Sequence, residues 1–124
     1  MRHLFGFCAA IAILAVSRPA HALDCGALTK DDEILACVGD QLADADRELN
    51  ATYVKLRANT SKESLELLTK AQRLWMSLRD ADCEVEAGNY RGGSAYNSIY
   101  VACQRDKTRQ RTLELKHFSQ WPRR

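Results

Sequence analysis

Four cysteines, Cys25, Cys37, Cys83 and Cys103, follow a 22-residue leader, and they restrict this chain to a small fold stapled from within. Met1-Arg2-His3, the apolar run Leu4 to Val16 and the ending Ala20-His21-Ala22 have the layout of a secretory signal peptide with an Ala-x-Ala cleavage site. The run is too short to cross a bilayer as a helix. Cys8 follows Phe7 and Cys25 follows Asp24, without the small preceding residue that lipid attachment favours, so no stable membrane anchor is expected. The expectation is a periplasmic or secreted protein comprising residues 23 to 124, cleaved near Ala22. In that oxidising setting an even number of cysteines points to two disulfides.

Spacing leaves more than one pairing open. The favoured pairing is Cys25 with Cys37 and Cys83 with Cys103, because each bridge then ties a terminal or loop segment to the neighbouring helix. The rival joins Cys37 to Cys83 and Cys25 to Cys103. No pair has Cys-x-x-Cys spacing and His117 is the one histidine beyond the leader, so neither a metal site nor a cofactor is expected. A Ser-His-Asp or Cys-His site would need that same His117, close to the chain end, which argues against a nucleophilic enzyme.

Beyond the leader, basic and acidic side chains balance, but they are segregated. Residues 23 to 50 carry eight acids against Lys30 and Arg47, while residues 91 to 124 carry eight bases against Asp106 and Glu114. Nucleic acid is a poor partner for an exported chain without a matching motif.

Helical periodicity runs through the chain. Ile34, Val38, Leu42, Ala45, Leu49, Tyr53 and Leu56 recur at steps of three or four, which lays one apolar stripe along a long helix from Asp31. Thr29 with Asp32 resembles a capping box, and Gly39 is expected to weaken or kink the helix. Thr60 with Glu63 marks a second start, followed by Leu65, Leu68, Ala71, Trp75, Leu78 and Val85 up to about Ala87. A Gly-rich connection, 88 to 93, leads to Ser94, a candidate cap for a third helix reaching about Phe118. No segment alternates like a strand. The expected fold is all-α, a small antiparallel three-helix bundle or hairpin with the four cysteines toward one end. The third helix gives the weakest signal: Gln104 to Thr112 contains no apolar side chain, so it packs through Thr108 and the stems of Lys107 and Arg111 or stands partly detached.

Several motifs line up in order: Ala45-Asp46-x-Glu48-Leu49-Asn50-x-x-Tyr53, Ala71-Gln72-Arg73-x-Trp75-x-x-x-Arg79-Asp80-Ala81-Asp82-Cys83, Gly92-Gly93-Ser94, and Thr108-x-x-Arg111 after Cys103. With Asp24-Cys25 and Cys37 before them, they resemble the lysozyme inhibitor LprI-like N-terminal domain family over nearly the whole chain beyond the leader. The resemblance implies a secreted, helical, disulfide-linked module whose named activity is lysozyme inhibition.

Read as structure, Asp46, Asn50, Tyr53, Gln72, Trp75 and Arg79 form a supporting set: Trp75 and Tyr53 in the core, and a buried Arg79 facing Asp46 or Asp82. Read as function, the loop of Tyr90, Arg91, Gly92, Gly93 and Ser94 is the candidate contact. A muramidase cleft carries two carboxylates, for which a projecting arginine beside an aromatic is a chemically sensible plug. The glycines also fit a plain helix connection. Asp40, Asp44 and Glu48 form a candidate acidic face for steering a basic partner, or else neutralise the basic third helix. Three function classes compete. The first is occlusion of a lysozyme or other peptidoglycan-cleaving muramidase. The second is a non-catalytic envelope module with another exported partner. The third, disfavoured, is an enzyme using Asp80, Asp82, Glu84 and Glu86.

Overall fold

A computed structural model describes residues 24–120, so the expected signal peptide, its cleavage site and Pro122 lie outside the described residues. Three helices account for nearly everything described: α1, Asp31–Ala58; α2, Lys62–Ala87; and α3, Tyr96–Phe118. A short 3-10 turn, Cys25–Ala27, precedes α1, and another, Gly88–Tyr90, extends α2. No strand occurs among the described residues.

The helix ends obey the expected logic, but at neighbouring residues. α1 opens at Asp31 with Lys30 at the cap position and no side-chain cap, so the Thr29 capping box does not form. Three acids in its first turn, Asp31, Asp32 and Glu33, complement the helix dipole instead. The helix then passes through Gly39 unbroken. α2 is capped by Ser61, whose hydroxyl accepts from the Ser64 amide at 3.3 Å. Thr60 turns its own hydroxyl back to the Leu56 carbonyl at 2.6 Å. Ser94 does not cap α3: Ala95 holds that position without a side-chain bond.

The chain runs up, down and up. Gln41 of α1 meets Arg105 of α3 at 2.6 Å and Glu48 meets Lys116 at 2.6 Å, so these two helices run parallel. α2 runs antiparallel to both, with Asp82 on Lys107 at 2.8 Å and Gln72 on Arg111 at 3.1 Å. Far from standing detached, α3 is the central helix against which α1 and α2 both pack.

The interior has three layers. At one end the Cys25–Cys37 disulfide and Val38 pack with Leu28, Leu35, Val101 and Ala102. The second disulfide, Cys83–Cys103, joins α2 to α3 at the same end, and the rival pairing does not form. At the other end, near the α1–α2 turn, Leu49, Leu56 and Leu115 are buried with Tyr53, Leu68 and Trp75 against them. A polar belt containing the buried Gln72, Thr108, Arg111 and Thr112 begins between these apolar clusters and runs into the second, where Gln72 lies a turn from Leu68 and Trp75 and the Arg111 guanidinium sits 5.8 Å from the Phe118 ring. It is fully hydrogen-bonded: no buried side-chain polar atom among the described residues lacks a partner. That is what a belt removed from water requires.

α2 departs from the expected stripe. Leu65, Leu68 and Trp75 are half-buried, but Ala71, Leu78 and Val85 face solvent. The helix carries two stripes, and the inward one is completed by Gln72, Arg79 and Cys83 where apolar periodicity points elsewhere.

Candidate functional site

The belt is organised around two arginines. Arg79 donates from Nε to Asp80 at 2.8 Å and from one terminal nitrogen to the Thr108 hydroxyl at 3.3 Å, with Asp46 3.8 Å away. Its nearest carboxylates are therefore Asp80 and Asp46, whereas Asp82, the expected alternative, is committed to Lys107. Arg111 donates to the Gln72 amide oxygen at 3.1 Å and to Glu114 at 2.8 Å. Both guanidinium groups lie against the Trp75 ring, at 5.2 Å for Arg79 and 5.9 Å for Arg111. Such contacts suit a flat, weakly hydrated cation. Trp75 is half-buried, so it is a platform for the arginines and not the enclosed anchor its place in the sequence suggests. Tyr53 donates to Thr69 across the α1–α2 gap at 3.4 Å. Asn50 is exposed and stands outside this set.

Burial of Asp80 raises its carboxyl, but hydrogen bonds from Arg79 and Gln104 and the charge of Arg79 outweigh it and hold the group below its ordinary range. These interactions are structural. Three of the four carboxylates considered for catalysis are engaged in the fold: Asp80 with Arg79 and Gln104, Asp82 with Lys107, and Glu84 with Arg91 and Tyr96.

The loop is built differently. α2 ends at Ala87 and the chain tightens through the 3-10 turn, with the Arg91 amide donating to the Gly88 carbonyl at 3.2 Å. Gly92 takes a φ of 84°, a conformation L side chains rarely adopt. The Gly93 amide then closes on the Tyr90 carbonyl at 2.9 Å, and a Cβ at Gly93 would meet that same oxygen at 3.2 Å. Both ends of the loop are fixed, α2 and α3 being joined by the Cys83–Cys103 bridge.

At the tip, Tyr90 and Arg91 are exposed. Glu84 forms a clasp beneath them, its Oε2 accepting from Arg91 at 3.1 Å and from the Tyr96 hydroxyl at 2.7 Å. The Arg91 guanidinium also sits 5.9 Å from the Tyr96 ring. The hydrogen bond to Glu84 raises the Tyr96 phenol above its ordinary value, with burial adding in the same direction. Ser94 is exposed in the turn before α3.

The acidic face is only partly available. Glu48 straps α1 to Lys116 of α3 and Asp44 pairs with Arg47, while Asp40 faces solvent. Sequence reasoning missed the Glu84 clasp and the Gln41–Arg105 contact. The first required the turn that brings residues seven apart together, and the second required the α1–α3 register. Only the adjacency of Arg79 and Asp80 offered a local clue to their pairing.

No grouping of three or more histidines, cysteines, aspartates or glutamates suited to a metal occurs among the described residues. No described helix is long and apolar enough to cross a membrane. A solved structure similar to this chain is that of a DUF1311 family protein from Pseudomonas putida KT2440, with a TM-score of 0.66 and 26% identity over 71% of this chain and 92% of that one. The uncharacterized protein R02472 of Rhizobium meliloti (strain 1021) is 34% identical over 123 residues, 86% of this chain and 88% of its own length. The family model described as lysozyme inhibitor LprI matches residues 25–115, from the first described disulfide to the buried Leu115 at the far end of the core. This chain belongs to the LprI lysozyme-inhibitor family.

Proposed function

We propose that this protein is an exported inhibitor of a muramidase that acts by occluding the enzyme's cleft, without catalysis of its own. The observation that carries the reading is the tip of the 88–94 loop, where Tyr90 and Arg91 are presented to solvent on a turn closed by hydrogen bonds and tethered by a disulfide. A preorganised tip loses little freedom on binding. Arg91 offers a fork of donors to a pair of cleft carboxylates. To do so it exchanges its contact with Glu84, an exposed ion pair of the kind worth no more than about 1 kcal/mol, so release is inexpensive. Tyr90 adds a rigid aromatic surface beside it. Asp40 assists approach by attracting a basic enzyme, a role that shapes the association rate more than the lifetime of the complex.

The test is inhibition of a lysozyme that the parent protein inhibits. Arg91→Ala should weaken inhibition by about 2 kcal/mol, roughly thirtyfold in the inhibition constant, and Tyr90→Ala should act in the same direction. Circular dichroism should show both variants folded. Equal inhibition by both variants and the parent refutes the loop mechanism. Binding to wall hydrolases without inhibition would instead indicate a non-catalytic envelope module.

A further inference from the structure

The outward face of α2 carries Leu67, Ala71, Leu74, Leu78, Ala81 and Val85, at alternating steps of four and three. That is the spacing of a heptad seam sustained over more than two heptads. Every one of these residues is exposed, the four large ones at 69% for Leu67, 61% for Leu74, 59% for Leu78 and 79% for Val85. The other side of the helix, through Gln72, Trp75, Arg79 and Cys83, is the side already used against the rest of the fold. Scattered exposed apolar residues are ordinary, but a continuous stripe of about 27 Å, the length of an 18-residue helical rise, is not.

We propose that this stripe is a self-association face, on which α2 of a second copy packs antiparallel. The stripe is symmetric about residue 76. Antiparallel pairing therefore sets Leu67 against the partner subunit's Val85, Leu74 against the partner subunit's Leu78, and Ala71 against the partner subunit's Ala81. Two Ala71–Ala81 layers flank the central Leu74–Leu78 layers and allow close approach there. The charges agree with this direction. Lys70 and Glu84 flank the seam on one edge at equivalent heptad positions, and antiparallel pairing places each Lys70 opposite the other copy's Glu84. A parallel in-register arrangement would carry the two copies' Lys70 and Glu84 to opposite edges of the seam and make no Lys70–Glu84 contact. Both intramolecular bonds to Glu84 fall on Oε2, so the carboxylate can receive a lysine on its other oxygen. The two-fold pairing closes on itself, which gives a dimer and not a filament. Because the helix is already folded, association does not bear the cost of forming it. The seam is short, so the dimer is weak and reversible.

Sedimentation of the chain from residue 23 to 124, over about 1 to 500 μM, tests this directly. The parent should show a monomer–dimer equilibrium with a dissociation constant of about 10 to 100 μM, as befits a contact smaller than a standard stable interface. Leu74→Glu with Leu78→Glu, both at exposed sites, should leave a folded monomer at every concentration. Lys70→Glu alone and Glu84→Lys alone each place like charges across both edge contacts and should weaken the dimer about tenfold. An equimolar mixture of those two variants restores opposite charges everywhere, and should recover the parent's affinity as a heterodimer. A parent that stays monomeric throughout, or a dimer that survives the double glutamate variant, overturns the proposal. So does a mixture that fails to recover, because the antiparallel register requires recovery. A monomeric parent that bound an added amphipathic helix through Leu74 and Leu78 would assign the face to a foreign partner and equally end the self-association reading.

Discussion

The stretch from Ile34 to Leu56 and the stretch from Gln104 to Thr112 both line the interior, but they reach it by different chemistry. In α1 the stripe does what its period implies: Val38, Ala45, Leu49 and Leu56 are buried and Ile34, Leu42 and Tyr53 half-buried. In α3 a run with no apolar residue contains Thr108 at 0% exposure, Thr112 at 3% and Arg111 at 8%. Thr112 satisfies its hydroxyl by donating to the Thr108 carbonyl in its own helix at 3.0 Å. This leaves the methyl groups of both threonines to pack. Arg111 covers apolar neighbours with its stem and places its charge between Gln72, Glu114 and two aromatic rings. A central helix need not be the most apolar one. It must be narrow enough, and well enough hydrogen-bonded, to be approached from both sides.

The largest effect expected from this contrast is at Arg111. Arg111→Ala removes the stem from the core and strips Gln72 of its donor, so it should cost about 3 kcal/mol. In a domain of this size that lowers the melting temperature by about 12 to 24 °C. Arg111→Met keeps the stem but not the donors and should fall between the parent and the alanine variant. A loss for Arg111→Ala of under about 0.5 kcal/mol, the level of an ordinary surface change, would break the contrast by showing that the polar stretch is not truly part of the core.

Much of this architecture was legible wherever one local signal determined the outcome. Three helices and the ends at Ala87 and Phe118 follow from period and breakers, whereas the cysteine pairing is narrowed only to a favoured and a rival set, of which the one that ties each outlying segment to its neighbouring helix forms. The caps slipped by one residue at Thr60 and Ser94 because adjacent hydroxyl-bearing or small residues compete for the position. Leu78 and Val85 continue the apolar periodicity of α2 yet face solvent, because hydrophobicity cannot distinguish two stripes on one helix when the buried one contains Gln72 and Arg79. The Gly-rich loop announced itself through composition. The Glu84 clasp did not, since it depends on a turn geometry that no single residue encodes.

Trp75 sharpens the comparison from the other side. A fully enclosed tryptophan would cost about 3 to 5 kcal/mol on truncation. Half-buried between the apolar cluster and the arginines, Trp75→Ala should cost about 2 kcal/mol, measured by chemical denaturation. Pairing it with Arg79→Met in a double-mutant cycle should reveal a coupling of about 0.5 to 1 kcal/mol for the cation–ring contact. A cycle that closes to zero would make Trp75 solely a part of the apolar cluster.

The smallest effect separates the belt from the apolar layers by pH. Asp80 is held below its ordinary carboxyl range, so the unfolded chain binds this proton more readily than the folded one, and stability rises with pH through the interval between the two values. Its contribution is complete above the unfolded value near about 4 and is lost as acidity passes through the lower folded value. Asp80→Asn abolishes the titration while retaining an oxygen that accepts from Arg79 and Gln104. Its stability should therefore fall less steeply than the parent's between about pH 4 and 2, with the two closest at the acid end where the parent's carboxyl is also neutral. The difference should be modest, because the Asp80 side chain is 48% exposed and solvent screens its charge. Substitutions confined to the apolar layers, such as Leu49→Ala, should shift stability by the same amount at every pH in that interval. Parallel acid profiles for the parent and Asp80→Asn would show that Arg79 grips Asp80 no more tightly in the folded chain than in the unfolded one, and the belt's stability would then rest on its neutral hydrogen bonds and packing.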